Sequence, residues 1–449
     1  MSNSFKKAIT LTGGVSILTG IMVGSGIFFV GSLVLDTTNY SYGFALLAWV
    51  IGGLLTLSYA LMYGELGSKY PRVGGYYAYL KKAYGPVVGF SAGFFNFALA
   101  SSGSVAVLGL AFSEVTNNIL LTVSEGAVSL STPLQIGLAA VMIILLTTMN
   151  VFGVKLNTLF LKIIMVIKFI PIVTLIVLGF TLGTQPLNLS FDLGGVGFLE
   201  GLSLLGFAVI FTFWAYEGWT NLNTVAEEME NPRRDLPRAL LITLVGVTLL
   251  YVFYQASILQ SIDQATLQGT YDSGFLFIGI PATLALVGSW GSYIIMGTIF
   301  IAILGSLNAS ILSFSRVYFA LADDFKALKP LATLNEKYQT PVKALIVSAV
   351  MALILLPFQI SDLISLVAFG GLVFNSLVFI SIFINRKRDP EVEGYSVPLY
   401  PVLPAVTIGI TLLLLVAIFI QNPVFSLVGV GVIALSVPVY FVLNRVKVS

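Results

Sequence analysis

Two stretches of this chain place polar and conformationally free residues in the middle of apolar runs, and two ionisable side chains accompany them. Val23-Gly24-Ser25-Gly26-Ile27-Phe28 interrupts an apolar run from Ile9 to Leu35, and a second run is interrupted between Phe211 and Asn221, where Trp214, Ala215, Tyr216, Glu217, Gly218 and Trp219 follow one another. Lys168 lies near the middle of a third run. In hydrocarbon every backbone amide and carbonyl needs a partner within the protein, so an unwound turn is tolerated only where it is buried or lines a cavity. An interrupted helix presents carbonyl acceptors at the end of its first half and amide donors at the start of its second, a set that suits a zwitterion with an ammonium and a carboxylate. An ionisable residue inside a membrane span is costly and is a functional candidate by default, which singles out Lys168 and Glu217. The plainer reading is that the glycines let helices approach closely. Two interruptions in corresponding positions of two halves point instead to a binding site between them.

The elements that must position these residues follow from composition. Of 449 residues, 57% are hydrophobic and 9% charged, which defines a polytopic, all-α membrane protein. Apolar runs long enough to cross a bilayer predict twelve spans, at about 9–35, 43–66, 86–112, 133–153, 157–181, 201–226, 238–260, 282–312, 341–358, 362–384, 402–420 and 424–444. Basic residues gather in alternate connections: Lys6 and Lys7; Lys69, Arg72, Lys81 and Lys82; Lys155 and Lys162; Arg233, Arg234 and Arg238; Arg316, Lys326, Lys329, Lys337 and Lys343; Arg386, Lys387 and Arg388; Arg445 and Lys447. The intervening loops, about 36–42, 113–132, 182–200, 261–281, 359–361 and 421–423, contain no Lys or Arg. By the positive-inside rule both termini are expected in the cytoplasm. Ile9 to Leu35 is long enough to remain as a span, so no cleaved signal peptide is expected. With interruptions in spans 1 and 6, spans 1–5 (about 9–181) are expected to repeat with inverted topology as spans 6–10 (about 201–384), with spans 11 and 12 (about 402–444) added, all within one transmembrane domain covering 1–449.

Several chemistries are excluded by what the chain lacks. Without cysteine it forms no disulfide, and without histidine it has no imidazole for a metal site or a neutral-pH proton relay. There is no phosphate-binding loop of Walker type, no metal-ligand cluster and no catalytic triad. Neither an enzyme, a cofactor, a metal nor a nucleic-acid partner is expected. Two stretches among the basic connections carry pattern. Glu65 to Tyr79, with Gly67, Pro71 and Gly74-Gly75, reads as a helix end, a turn and the start of a short interfacial helix before Gly85-Pro86. Glu227 to Pro237 reads as a helix end, a proline-stiffened turn and a new start.

Taken together, Gly24 to Phe28, Glu65-Leu66-Gly67 through Pro71, Gly74-Gly75 and Tyr79, and Asn231-Pro232 resemble the amino acid-polyamine-organocation superfamily. Trp214-Ala215-Tyr216, Gly218-Trp219, Asn223, Glu227-Glu228 and Leu236-Pro237 look most like its L-amino acid transporter branch and the bacterial serine/threonine exchangers, and Gly305 to Ser310 leading to Arg316 fits as well. The resemblance implies the five-plus-five inverted-repeat fold and alternating access. It implies that the substrate binds at the break around Gly24, its carboxylate meeting the amides around Ser25, Gly26 and Ile27, and its ammonium the carbonyls near Ile21, Met22 and Val23 and of Phe213, Trp214, Ala215 and Tyr216. Trp214 takes the position of an aromatic gate, with Asn96, Ser101, Ser102 and Trp219 as candidate lining. Lys168 takes the place where sodium-coupled relatives hold an ion, reaching toward span 1 and span 8 with Ser306 and Ser310 nearby. Glu217 departs from the animal transporters, which carry a small uncharged residue there. It reads as a proton site, as an acceptor for the unwound backbone, or as a subsite for a cationic substrate.

The expected function is therefore sodium-independent exchange or facilitated diffusion of neutral L-amino acids across the cell membrane. A proton-coupled symporter of broader range, including cationic amino acids or polyamines, is the alternative, and an amino acid sensor built on a transporter fold a lesser one. The expected partners are the amino acid and the lipid bilayer. The animal relatives' disulfide-linked subunit is ruled out by the absence of cysteine, and the chain is expected to act as a monomer.

Overall fold

In the computed structural model the chain is described over residues 7–445, apart from Val73, Glu125, Leu193, Gly194 and residues 274–276. Lys6 and Lys447 lie outside the described residues, as do the side chains of Lys155 and Lys162. The apolar runs form α1 (Leu11–Met22), α2 (Gly26–Thr37), α3 (Tyr42–Lys69), α4 (Tyr76–Tyr84), α5 (Pro86–Phe95), α6 (Ser101–Val123), α7 (Thr132–Val151), α8 (Val154–Leu182) and α9 (Phe198–Tyr216). They continue as α10 (Asn221–Thr224), α11 (Pro232–Ser261), α12 (Gln264–Asp272), α13 (Gly279–Val287), α14 (Ser289–Asp324), α15 (Val342–Leu355), α16 (Ile360–Arg388), α17 (Val402–Gln421) and α18 (Pro423–Arg445). Among the described residues there is no β-strand, only one isolated parallel bridge between Ile9 and Met229.

Local chemistry sets the ends. Thr10 caps α1 by accepting the Gly13 amide at 3.2 Å. Pro86, Pro232 and Pro423 each sit at the first position of a helix, where a missing N–H costs nothing. Gly85, at φ 90°, supplies the left-handed turn between α4 and α5, so the short helix expected before Gly85-Pro86 is present.

Among the described residues nine helices are long and apolar enough to cross a membrane, and α1 with α2 forms a further broken span bent by 48°. The two remaining expected spans are shorter: Glu200–Tyr216 stops at the second interruption, and α15 has 14 residues, about 21 Å of rise. Two departures from the expected boundaries have simple causes. The sixth segment does not continue to 226 as one broken span; α10 is a single turn, followed by a 3-10 turn at Ala226–Glu228. The eighth divides at Gly288, whose φ of 74° ends α13, and α14 then runs 36 residues, about 54 Å, past 312 to Asp324. Arg316 therefore lies within a helix rather than in a connecting loop.

α1 packs against α8, α11 and α14, while α9 packs against α2 and α3, and α3 lies along α11. The interrupted helices thus occupy the middle of the bundle, and α17 and α18 lie at its edge against α16 and α5.

Candidate functional site

The first interruption is a true unwinding. α1 ends at Val23 (φ −78°, ψ 69°) and α2 starts after Ser25. Across the gap the Gly24 amide turns back to Met22 O at 2.8 Å and the Phe28 amide to Ser25 O at 3.0 Å. The amides of Ser25, Gly26 and Ile27 donate to no acceptor among the described residues. They form the positive end of a twelve-residue helix, an arrangement suited to an anion.

The carbonyl side of the gap is fastened by the side chains of Lys168, Ser306 and, from α11, Tyr251. Lys168, fully buried in α8, donates from Nζ to Val23 O at 2.6 Å, Gly20 O at 3.0 Å and Thr19 O at 3.4 Å. Ser306 of α14 donates toward Ile21 O at 2.8 Å and Gly20 O at 3.2 Å. Lys168 and Ser306 thus meet on the same carbonyl of α1, and this is how α8 and α14 are joined there. Ser310 is buried one turn further along α14 and takes no part in these bonds. Among the described residues Lys168 has no carboxylate within ion-pair distance; its partners are backbone carbonyls of α1 and its end.

At the second interruption α9 ends at Glu217 (φ −60°, ψ 150°) and Gly218 adopts φ 110°, which only glycine takes without strain. The two interruptions pack face to face. A Cβ on Gly26 would strike the Ala215 backbone, and one on Gly218 would strike Ile21. Tyr251 of α11 spans both: its hydroxyl lies 2.6 Å from Met22 O and 3.0 Å from Ala215 O, one hydrogen shared between the two cut ends. Tyr216 points away from the gap and donates to Trp49 O at 2.9 Å.

Beside this junction is a cavity of about 260 Å³. Its wall includes Phe213, Trp214 and Glu217 from α9 and its break, as well as Asn96, Ser101 and Trp219, three of the four residues expected as lining. The fourth, Ser102, is instead paired with Tyr318 at 2.7 Å. Ile21 to Ile27, Ala215 and Tyr216 do not line it: all are buried, and Gly26 with Ala215 and Ile21 with Gly218 close the contact between the two breaks. Glu217 is exposed to the cavity and has no ion-pair partner among the described residues. The cavity extends to Asn422, in the turn between α17 and α18.

On the opposite side, the residues before α1 are pinned to the segment after the second break. Ala8 and Ile9 donate their amides to Glu228 O at 2.8 and 2.9 Å, and Glu230 returns one to Ile9 O at 3.0 Å. Beneath them Arg316, fully buried, donates to Glu228 Oε1 at 3.0 Å. The Glu65 pattern also acquires a structural meaning. Its carboxylate accepts two bonds from Arg386, at 2.8 and 2.6 Å, one from Lys69 at 3.0 Å and one from the Val397 amide at 2.7 Å, tying α3 to α16 and the segment after it. Sequence reasoning missed Tyr251, Tyr59 and Phe374 at or near the site, each of which reads in isolation as an aromatic core residue, and it read Tyr76 only as the start of a short interfacial helix, not as part of the site.

These features define an all-helical, multi-pass membrane protein organised around two broken helices in contact. The chain belongs to the amino acid permease family, whose profile matches residues 7–443, and so to a class of transporters rather than enzymes. It is similar to the serine/threonine exchanger SteT of Bacillus subtilis, 29% identical over 453 residues that cover 100% of this chain and 99% of that one. It is also similar to the b(0,+)-type amino acid transporter 1 of Mus musculus (26% identical, 95% of this chain and 85% of that one). The large neutral amino acids transporter small subunit 2 of Homo sapiens is 28% identical, over 98% of this chain and 80% of that one.

Proposed function

We propose that the protein exchanges neutral L-amino acids across the cell membrane by alternating access, without sodium, as a single chain of twelve spans in one domain with both termini cytoplasmic and spans 1–5 repeated as 6–10. The observation that carries this reading is the meeting of two helix breaks with the amides of Ser25, Gly26 and Ile27 left without acceptors. The substrate carboxylate would bind these amides once the breaks part. Its ammonium would meet the carbonyls of the two cut ends, and its side chain would lie in the cavity beside Trp214, the proposed gate. Lys168 supplies a fixed cation against α1, where a coupling ion would otherwise be required. Reconstituted protein tests this: uptake of labelled serine, alanine or leucine that requires internal amino acid and is indifferent to sodium is expected. Flux that demands sodium would refute it.

A second reading rests on Glu217, a carboxylate facing the cavity without an ion-pair partner among the described residues. It would favour a cationic side chain or carry a proton with the substrate. Uptake driven uphill by a pH gradient, or competition by lysine or arginine, would support it, and Glu217→Gln should abolish both.

A further inference from the structure

The cavity has a wall that comes from outside the long helices. α4 belongs to the connection between α3 and α5, yet its first residue, Tyr76, lines the cavity. The Tyr76 ring lies along Phe374 of α16, with centroids 6.4 Å apart and planes inclined by 26°, and its hydroxyl is turned to the side chain of Asn96. Asn96 begins a π-helical turn, Asn96–Ala100, set between α5 and α6, and accepts a hydrogen bond from Ser101. A π turn inserts one residue into the helical ladder and re-aims the side chains around it, and such turns are frequent at functional sites. Here it brings Asn96, Ala100 and Ser101 onto the cavity beside Tyr76.

The residues on either side of Tyr76 grip the short helix after the second break. Gly74 donates its amide to Thr224 O at 3.3 Å. A Cβ on Gly75 would lie 3.3 Å from the Thr224 amide nitrogen, and Tyr79 donates to Asn223 Oδ1 at 3.0 Å. One short segment therefore touches the cavity through a single aromatic ring and holds α10 through its neighbours.

We propose that Tyr76 is the residue that sets the length of side chain the transporter accepts, closing the far end of the pocket with Asn96 behind it. This rests on the reading of the cavity as the side-chain pocket. A side chain that stops short of the ring leaves apolar surface of Tyr76 and Phe374 uncovered. One that is too long pushes the ring from Asn96, and the push is passed through Gly74 and Tyr79 to α10. Selection by length should thus appear first in KM, and in turnover only for substrates that reach the ring.

The test compares wild type with Tyr76→Ala, Tyr76→Trp and Tyr76→Phe in proteoliposomes, measuring exchange of alanine, leucine and tryptophan. Tyr76→Ala should raise the ratio of Vmax/KM for tryptophan over alanine about tenfold, the effect falling on KM, and Tyr76→Trp should lower it. Tyr76→Phe, which keeps the ring, should keep the wild-type ratio. Ratios unchanged in both the Ala and Trp variants, with turnover reduced equally for all three substrates, would overturn the proposal. Should Tyr76→Ala fail to fold, the ratio in Tyr76→Trp decides alone. If wild type exchanges no amino acid, the exchange reading falls on its own. Equilibrium binding of the same three amino acids, each radiolabelled, then decides the role of Tyr76 by the same change of order.

Discussion

Lys168→Ala is the sharpest perturbation of the junction, because its cost can be followed bond by bond. The ammonium holds three carbonyls. After its removal Gly20 O keeps Ser306, at 3.2 Å, and Thr19 O keeps the Val23 amide, at 3.1 Å. Val23 O alone loses its only partner among the described residues. A buried carbonyl left unpaired costs about 1–3 kcal/mol. Against this, the variant no longer carries the expense of burying an unpaired ammonium, so overall stability should change little. What changes is the preference for the conformation in which α1 is fastened. A bias of about 2 kcal/mol shifts a two-state population by a factor of about 30, and exchange that must visit both conformations should slow by a similar factor. The assay is serine or alanine exchange in proteoliposomes, with a thermal melt of the purified variant beside it. Slow exchange with a melting temperature near wild type is the expected pair of results. Exchange indistinguishable from wild type would refute the reasoning, as would loss of exchange accompanied by collapse of the fold.

Tyr251→Phe removes the hydroxyl shared by Met22 O and Ala215 O and should raise KM or lower turnover by about tenfold, the weight of one net hydrogen bond between the breaks, read from initial rates of exchange. Gly26→Ala places a methyl group against the Ala215 backbone; overpacking of this kind costs about 1–3 kcal/mol and should depress both melting temperature and exchange, whereas Gly206→Ala, where a Cβ meets open space, should do neither. Glu65→Ala strips Arg386, Lys69 and the Val397 amide of their common acceptor, and breaking such a buried pair costs about 3–5 kcal/mol, visible as a large drop in thermal stability. Outside the spans, Lys82 and then Tyr70 hold the Asp389 carboxyl below the usual carboxylate range, so whatever the contact contributes is present above that range and is lost only as acid protonates Asp389; Asp389→Asn should therefore leave the melting temperature equally flat between pH 5 and 8, as a pH series of melts would read.

The first interruption could be read from the chain because Gly24 and Gly26 flank a serine where a spanning helix should be strongest, and Lys168 because an ammonium in an apolar run stands out on composition alone. The same arithmetic of apolar runs misplaced Arg316. A charged residue looks like the end of a span, yet its neutralising partner, Glu228, lies 88 positions away on another element, and α14 continues past it. The π turn at Asn96 left no trace because an inserted residue changes the direction of side chains and not their identity. The open volume also lies to one side of the expected site: Gly26 and Ala215 are small enough for the two backbones to touch, which closes the space between the breaks and leaves the cavity beside α9.

The pairing of Ala8 and Ile9 with Glu228 and Glu230 has a practical consequence. Whatever parts α1 from the segment after the second break must also unzip Ala8 and Ile9 from it. Ala8 and Ile9 would then move with each opening, and a fluorophore at Lys7 beside them is expected to change its surroundings once per cycle. Such a probe would count turnovers from outside the pathway, in single molecules and without labelled substrate.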